Sequence, residues 1–288
     1  MRIVVTADLH FGISTLYDEM TMKFLRRLEK HLPIDLMIIC GDVAENVNLG
    51  PSRIGDNHKR LFSKVREIPV GNIAFCAGNH DIWTGGVPDS WQIYSEVLRR
   101  VAADCHVSFL DFENLYLDEV AVVGSMGHYD YSFATEGLEI GNEIVNEGHY
   151  ERKTLPGCDK PVWNDAIYVN WAYSDKEACE KICDSFEQKF KEALHRSDNI
   201  IVATHTAPII EMNAYQNKSE PRSNFLNAFS GTSRLGEIMM NSRRSGKKIR
   251  AFSGHTHLAV GSIFKEGVEF INLGGDYGEP PLFIVSHN

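Results

Sequence analysis

Three short apolar runs near the start of the chain constrain its fold, because each leads directly into a polar segment with chemically active side chains. The runs cover residues 2–7, 35–40 and 72–77, and the segments that follow them are Asp8-Leu9-His10, Gly41-Asp42 and Gly78-Asn79-His80-Asp81. Amphipathic helical patterns at 16–32 and 57–67 lie between the runs. Strands that alternate with helices form right-handed parallel crossovers. We therefore expect these polar segments to meet at the carboxyl edge of one sheet, where open α/β sheets bind ligands.

Two later runs also end in polar segments. Residues 199–203 lead to Thr204-His205, and residues 249–252 lead to Gly254-His255-Thr256-His257. Other short runs predict an antiparallel meander at 107–124 and a hairpin at 260–273. Further helices are expected at 90–103, 174–195 and 232–242, the second with a capping box from Ser174 and Glu177. Parallel and antiparallel strands together indicate a mixed α/β fold.

Residues 126–172 show neither a helical nor a strand period, although the stretch is rich in aromatic side chains. Irregular segments of this length are usually functional or disordered, and the aromatic density argues against disorder. We interpret the chain as one domain, residues 1–288, with an insertion at 126–172. The insertion is either a lid over the site or a satellite core of packed rings, and the sequence favours neither.

The side chains at the strand ends suit a metal centre. They comprise two carboxylates, four imidazoles and an amide: Asp8, Asp42, His10, His205, His255, His257 and Asn79. Without a thiolate, this set suits manganese, iron, zinc or nickel and disfavours a structural thiolate site. Seven donors are too many for one ion, so two ions with a bridging carboxylate are expected. Ions about 3.5–4 Å apart would clamp a phosphoryl group and lower the pKa of a bridging water.

These five motifs, in this order, resemble the signature of the calcineurin-like metallophosphoesterases. One motif alone is also compatible with an ordinary polar turn, but five in order at strand ends are specific, and the match spans residues 8 to 257. The resemblance implies a two-sheet mixed β-sandwich flanked by helices, the calcineurin-like αββα architecture. It also implies two divalent or trivalent metal ions, with manganese, iron and zinc as the leading candidates.

The resemblance assigns a role to each motif residue. It implies that Asp8, His10 and His257 hold the first metal, that Asn79, His205 and His255 hold the second, and that Asp42 bridges them. His80 matches the family's histidine that contacts phosphate and protonates the leaving oxygen, and Asp81 would orient His80. The implied reaction is hydrolysis of a phosphomonoester or a small phosphodiester by hydroxide held on the metals. A nuclease of the same superfamily and a non-catalytic scaffold with this fold are the alternatives.

Charge and composition bear on the partners. The chain of 288 residues has 29 Lys and Arg against 39 Asp and Glu, a formal charge of −10. This balance argues against a nucleic-acid or anionic-membrane partner, while the resemblance implies a small-molecule phosphoester as the substrate. The N-terminus lacks a signal-peptide pattern, and no apolar run approaches the roughly 18 residues of a membrane span. With scattered cysteines, these features lead us to expect a cytoplasmic protein without a membrane partner; the oligomeric state is left open.

A few other residues have two interpretations. His128 follows a strand and is either a substrate contact or an ordinary polar residue, and Asn46 and Asn48 either line the rim or make turns. Cys179 and Cys183 share a helical face, where we favour packing over a metal site. The basic run at 243–250 either grips a polyanion or is a solvated helix end, and we favour the second.

Overall fold

The computed structural model describes residues 1–213, 220–242, 246–275 and 277–286. Its first sheet has the strand order β13-β1-β2-β3-β4. Strands β1 to β4 are parallel, and β13 pairs antiparallel with β1 at the edge. The strands are β1 (Arg2–Thr6), β2 (Ile34–Cys40), β3 (Val70–Cys76), β4 (Ser108–Phe109) and β13 (Phe283–Ser286).

The second sheet has the order β11-β12-β10-β9-β6-β5. Its four inner strands are parallel, and the edge strands β5 and β11 are antiparallel to their neighbours. The predicted hairpin at 260–273 is thus confirmed as β11 and β12. The strands are β5 (Leu115–Leu117), β6 (Val120–Ser125), β9 (Asn199–Thr204), β10 (Lys248–Ser253), β11 (Gly261–Lys265) and β12 (Val268–Asn272).

Helices cover the outer faces of the two sheets. The first sheet packs against α1 (Thr15–Leu28), α2 (Asp56–Arg66), α3 (Ser90–Gln92), a π-helical turn (Ile93–Val97) and α4 (Leu98–Cys105). The second packs against α7 (Asp175–Arg196) and α9 (Ser233–Met240). A third apolar cluster, with residues of both sheets, fills the space between them. The two-sheet mixed β-sandwich flanked by helices is therefore confirmed, as is the capping box at the start of α7.

The predicted meander is wrong in one part. Strands β5 and β6 do form an antiparallel pair, but β4 joins the other sheet, where Ala74 and Phe75 of β3 pair in parallel with Ser108 and Phe109. A two-residue strand carries too little pattern to show which sheet it enters.

The insertion is not wholly irregular. It contains the hairpin β7 (Glu139–Ile140) and β8 (Glu143–Ile144) and the helices α5 (Glu147–Arg152) and α6 (Asp165–Tyr168). Elements of two to six residues are too short to establish a period, which is why the sequence pattern misses them.

Several rings of the insertion are buried. Tyr129, Tyr131 and Tyr150 pack with Phe225 and Phe229, which belong to α8 (Pro221–Leu226) and the 3-10 turn after it (Asn227–Phe229). This is the packing that the satellite-core alternative expects, and a lid role for the insertion stays a prediction. Within the ranges given above, none of the helices combines the length and apolar character that a membrane crossing requires.

Candidate metal centre

The carboxyl ends of both sheets place the predicted ligands at one end of the sandwich. Strands β1, β2 and β3 lead into Asp8 and His10, Asp42, and Asn79; strands β9 and β10 lead into His205 and the pair His255 and His257. Ligand atoms of Asp8, His10, Asp42 and His257 lie within 4.8 Å of one another. These four side chains form the first half of the centre.

The second half is built around His205. Its Nε2 atom lies 3.0 Å from Asn79 Oδ1 and 3.0 Å from His255 Nδ1. Asp42 joins the halves, because its Oδ2 atom lies 3.3 Å from His205 Nε2 and 3.6 Å from His10 Nε2. The structure thus brings all seven predicted ligand residues together, with Asp42 between the two groups.

The donor atoms fit a pair of metal ions. Imidazole nitrogens point at one another in both halves: His10 Nε2 lies 3.3 Å from His257 Nε2, and His205 Nε2 lies 3.0 Å from His255 Nδ1. Cations between these nitrogens and the nearby carboxylate oxygens would stabilise such convergence. Nitrogen and oxygen donors without thiolate suit manganese, iron or zinc.

Backbone strain marks the same residues. Five of the seven ligand residues have φ values between +45° and +70°, a region that side chains other than glycine seldom adopt: Asp8, His10, Asp42, His255 and His257. Strained backbone of this kind clusters at binding and catalytic sites, where the surrounding structure holds it in place.

The glycines of the motifs allow close approach of the ligands. A Cβ atom on Gly78 would lie 2.2 Å from Asp42 Oδ1, and one on Gly254 would lie 2.6 Å from Asp8 Oδ2. At Gly41 a Cβ atom would lie 2.3 Å from the Nδ1 atom of His205. These three motifs therefore need glycine, because a ligand side chain occupies the space that a Cβ atom would take.

The pKa values of the buried ligand residues shift in different directions. Burial opposes charge on Asp42, yet the imidazoles around it, His205 above all, hold its pKa well below the ordinary value. Burial also opposes charge on His205, but Asp42 raises its pKa to about 9. Burial and the neighbouring His205 lower the pKa of His255 to about 3, and burial lowers that of His10. Neutral imidazole is the form that binds metal.

His80 lies beside the centre with its ring fixed on two sides. Its Nδ1 atom lies 2.8 Å from Glu45 Oε2, and its ring stacks on Trp83 with the centroids 3.5 Å apart. Burial alone would lower the pKa of His80, but Asp42 and Glu45 raise it above the ordinary value. The protonated form of His80 is thus favoured, and its ring is fixed beside the ligand residues.

The predicted role of Asp81 is wrong. Its carboxylate accepts hydrogen bonds from the backbone N–H groups of Val43, Ala44 and Gly78 and pairs with His58. Asp81 therefore fixes the turn after β2, and Glu45 orients His80. Glu45 is buried, and nothing in the sequence around it indicates either that burial or its contact with His80.

Two further residues of the site were not predicted. The Tyr277 hydroxyl lies 3.5 Å from His80 Nε2, and its ring centroid lies 4.4 Å from that of His10. Its signal was the glycine-rich segment 274–278 directly after an apolar strand. Asp165, within the insertion, accepts a hydrogen bond from Asn79 at 2.9 Å. Nothing in the sequence around Asp165 indicates that contact.

The structure shows the positions and partners of the residues that had two interpretations. His128 is buried and pairs with Asp175 at 3.0 Å, while Asn46 is buried and donates to the Asp81 carbonyl oxygen. The side chains of Cys179 and Cys183 are packed in the core beneath the second sheet. In the basic run, Arg243 and Arg244 lie outside the described residues, and Arg250 pairs with Glu269.

Comparison with known proteins bears on the fold and the family of the chain. A comparison with curated protein sequences gives no match. The phosphopantetheinyl hydrolase of Mycobacterium tuberculosis has a similar structure, with a TM-score of 0.68 at 19% identity over 96% of this chain and 89% of that one. A dimetal phosphatase from Danio rerio has a TM-score of 0.59 at 11% identity over 99% and 91%. The model of the calcineurin-like phosphoesterases matches residues 1–259, and the chain belongs to that family.

Proposed function

We propose that this protein hydrolyses a phosphomonoester or a small phosphodiester at the centre between its two sheets. The observation that carries the proposal is the position of Asp42 Oδ2, between the His10 and His205 nitrogens at 3.6 and 3.3 Å. A carboxylate in that position suits a bridge between two ions. Membership of the calcineurin-like phosphoesterases supports a metal-dependent hydrolase.

The ligand residues divide between two ions in this proposal. Asp8, His10 and His257 would hold the first, Asn79, His205 and His255 would hold the second, and Asp42 would contact both. When bound, the two ions would supply Lewis acidity to the phosphoryl oxygens and lower the pKa of a bound water.

His80 has the role of general acid. Glu45 pairs with the Nδ1 atom of His80, so the Nε2 atom is the one that carries the proton for the leaving oxygen. Trp83 stacks on the ring and fixes its plane, and the Tyr277 hydroxyl lies close enough to contact the same region of the substrate. The chain's own residues thus orient and protonate the leaving group.

Purified protein freed of metal and then given Mn²⁺ tests the proposal. It should cleave p-nitrophenyl phosphate or bis(p-nitrophenyl) phosphate, and the ratio of the two rates separates monoester from diester preference. A phosphopantetheinyl ester should also be tested as a substrate, because one of the similar structures is named a phosphopantetheinyl hydrolase. Absence of turnover on every phosphoester, with both metals bound, would favour a scaffold, and preferred cleavage of DNA would favour a nuclease.

The variant His80→Asn examines the general acid. Turnover of esters with poor leaving groups should fall on the order of 10²–10⁴-fold, while nitrophenyl esters, whose leaving group needs no proton, should lose much less. Metal content should be unchanged. His31→Asn, before the amino end of β2, is the matched control. Loss of metal with activity, or equal losses for both kinds of ester, would contradict the role.

A further inference from the structure

One buried carboxylate connects the insertion to the metal centre. Asp165, the first residue of α6, is 1% exposed and accepts four hydrogen bonds. Its Oδ1 atom accepts from Asn79 Nδ2 at 2.9 Å and Trp83 Nε1 at 2.7 Å, and its Oδ2 atom accepts from the Tyr129 hydroxyl and Trp163 Nε1, both at 2.9 Å. Two donors come from the sequence around β3, and two come from the insertion.

The contact with Asn79 decides which end of that amide faces the centre. The indole N–H groups of Trp83 and Trp163 can only donate, so both oxygens of Asp165 act as acceptors. The NH₂ end of Asn79 therefore points at Asp165 and donates to it. The amide oxygen then points at the centre, where it lies 3.0 Å from His205 Nε2. Rotating the amide by 180° would place two donor hydrogens among the ligands and set its oxygen against the carboxylate.

The contact with Trp83 extends to His80. The Trp83 indole donates to the same Oδ1 atom, and its ring stacks on the His80 imidazole. On the insertion side, the Trp163 ring lies edge-on to His255 with the centroids 5.5 Å apart. Asp165 therefore contacts one proposed ligand directly, and it also contacts the aromatic rings that pack against His255 and His80.

We infer that Asp165 is a positioning residue that holds the Asn79 oxygen toward the second metal. The insertion then braces the centre through this carboxylate. The inference rests on the proposed function, because it takes Asn79 to be a metal ligand. Residues that orient metal ligands in this way typically contribute about 10–100-fold to metal affinity.

The test compares Mn²⁺ binding in three variants. Asp165→Ala removes the acceptor, and it should bind the second ion about 10–100-fold more weakly while the first ion stays. Tyr129→Phe removes one donor to the other oxygen, and it should keep both ions. The double variant Asp165→Asn with Trp163→Phe keeps an acceptor facing Asn79 and removes the donor that would conflict with the new NH₂ group, so it should recover the second ion.

Metal counts and electron paramagnetic resonance give readouts apart from activity. At two equivalents of Mn²⁺ per chain, Asp165→Ala should show the six-line signal of isolated Mn²⁺, and wild type and the double variant should show the broadened signal of a coupled pair. If Asp165→Ala fails to fold, Asp165→Ser replaces it. The serine hydroxyl keeps a polar atom in the space but is too short to reach Asn79, so weaker binding of the second ion is again expected.

Two results would overturn the inference. If wild type holds two ions and the Asp165 variants hold two with unchanged affinity, the positioning role is wrong and the proposed function stands. If wild type itself never binds a second ion, the proposed two-metal centre fails and the inference fails with it.

Discussion

Gly78 lies so close to Asp42 that a methyl group on it would stand 2.2 Å from the Asp42 Oδ1 atom. The Gly78→Ala change should therefore push the bridging carboxylate out of place and weaken binding of both Mn²⁺ ions by about tenfold or more. Calorimetric titration of metal-free protein measures the effect. Gly85→Ala is the matched control, because a Cβ atom at Gly85 meets nothing within 4 Å. Equal affinities in the two variants would show that Asp42 does not depend on this close approach.

Glu45 determines the environment of His80 Nδ1, at a distance of 2.8 Å. Replacing Glu45 by Gln removes the charge that favours a proton on His80. Turnover of esters with poor leaving groups should then fall, by no more than the roughly 10²–10⁴-fold that proton transfer contributes, with the metal content unchanged. The measurement compares the hydrolysis rates of alkyl and nitrophenyl phosphoesters. Glu67→Gln is the control, because Glu67 forms an exposed ion pair with Lys64. An equal loss on both esters would argue against a proton-transfer role.

The ligand residues could be predicted because each directly follows a strand, where sequence order fixes position. Glu45 and Asp165 could not, since they reach the centre through tertiary contacts that no local pattern encodes. Tyr277 had only the glycine-rich segment around it as a signal, and its contact with His80 is also tertiary. Asp81 shows the converse error. Its position next to His80 in sequence suggested contact, but its side chain satisfies backbone N–H groups of the neighbouring turn instead.

Helix α7 begins at a buried charge cluster. The Asp175 carboxylate pairs with His128 at 3.0 Å and Lys153 at 2.5 Å, and accepts a hydrogen bond from Tyr131 at 2.5 Å. Burial would raise the pKa of Asp175, but His128 and Lys153 hold it well below the ordinary 3.8. A carboxyl group with a lowered pKa in the folded state stabilises the protein above its unfolded pKa, and the contribution is lost as the pH falls toward the folded value.

Asp175→Asn should accordingly lower the free energy of unfolding by about 3 kcal/mol at pH 7. The difference from wild type should shrink below pH about 4, where the unfolded carboxyl takes up its proton. Urea unfolding of metal-free protein between pH 7 and pH 3 measures it. Asp184→Asn, at an exposed pair with Arg234, should show little difference throughout. A gap between wild type and Asp175→Asn that stays constant with pH would contradict the assignment.

The insertion can act as a lid, as a brace, or as both. Replacing residues 131–170 by a short Gly-Ser linker removes Asp165, so the brace predicts that a folded product binds one ion tightly and the second weakly. The lid predicts two bound ions, intact cleavage of nitrophenyl esters and lost discrimination among natural phosphoesters. Metal analysis and rates on a phosphoester panel separate the two, with circular dichroism to verify folding.

The longer elements could be predicted from periodicity, since β1, β2, β3 and α7 have enough residues to show one. Strand β4 and the elements of the insertion could not. Ser108 and Phe109 pair with β3 because of where the chain returns after α4, and that path depends on packing of the whole sheet.

Across the whole molecule, the centre lies where two sheets meet. The first sheet supplies Asp8, His10, Asp42 and Asn79, and the second supplies the remaining three histidines. The strand pattern predicted that the residues of the first sheet share one edge, because parallel strands present their carboxyl ends there. That the three histidines of the second sheet join them was implied by the resemblance. Neither could predict the distances between the sheets, which depend on side-chain packing in the core between them.

Titration of metal-free protein with Mn²⁺, with nitrophenyl phosphoester hydrolysis followed at each ratio, tests the central claim most directly. The proposed centre predicts that the rate rises to a plateau at two equivalents of Mn²⁺ per chain. The Asp42→Asn variant should fail to reach that plateau, because both ions lose their shared ligand. A plateau at one equivalent, or no hydrolysis at any ratio, would contradict the account of a two-metal phosphoesterase.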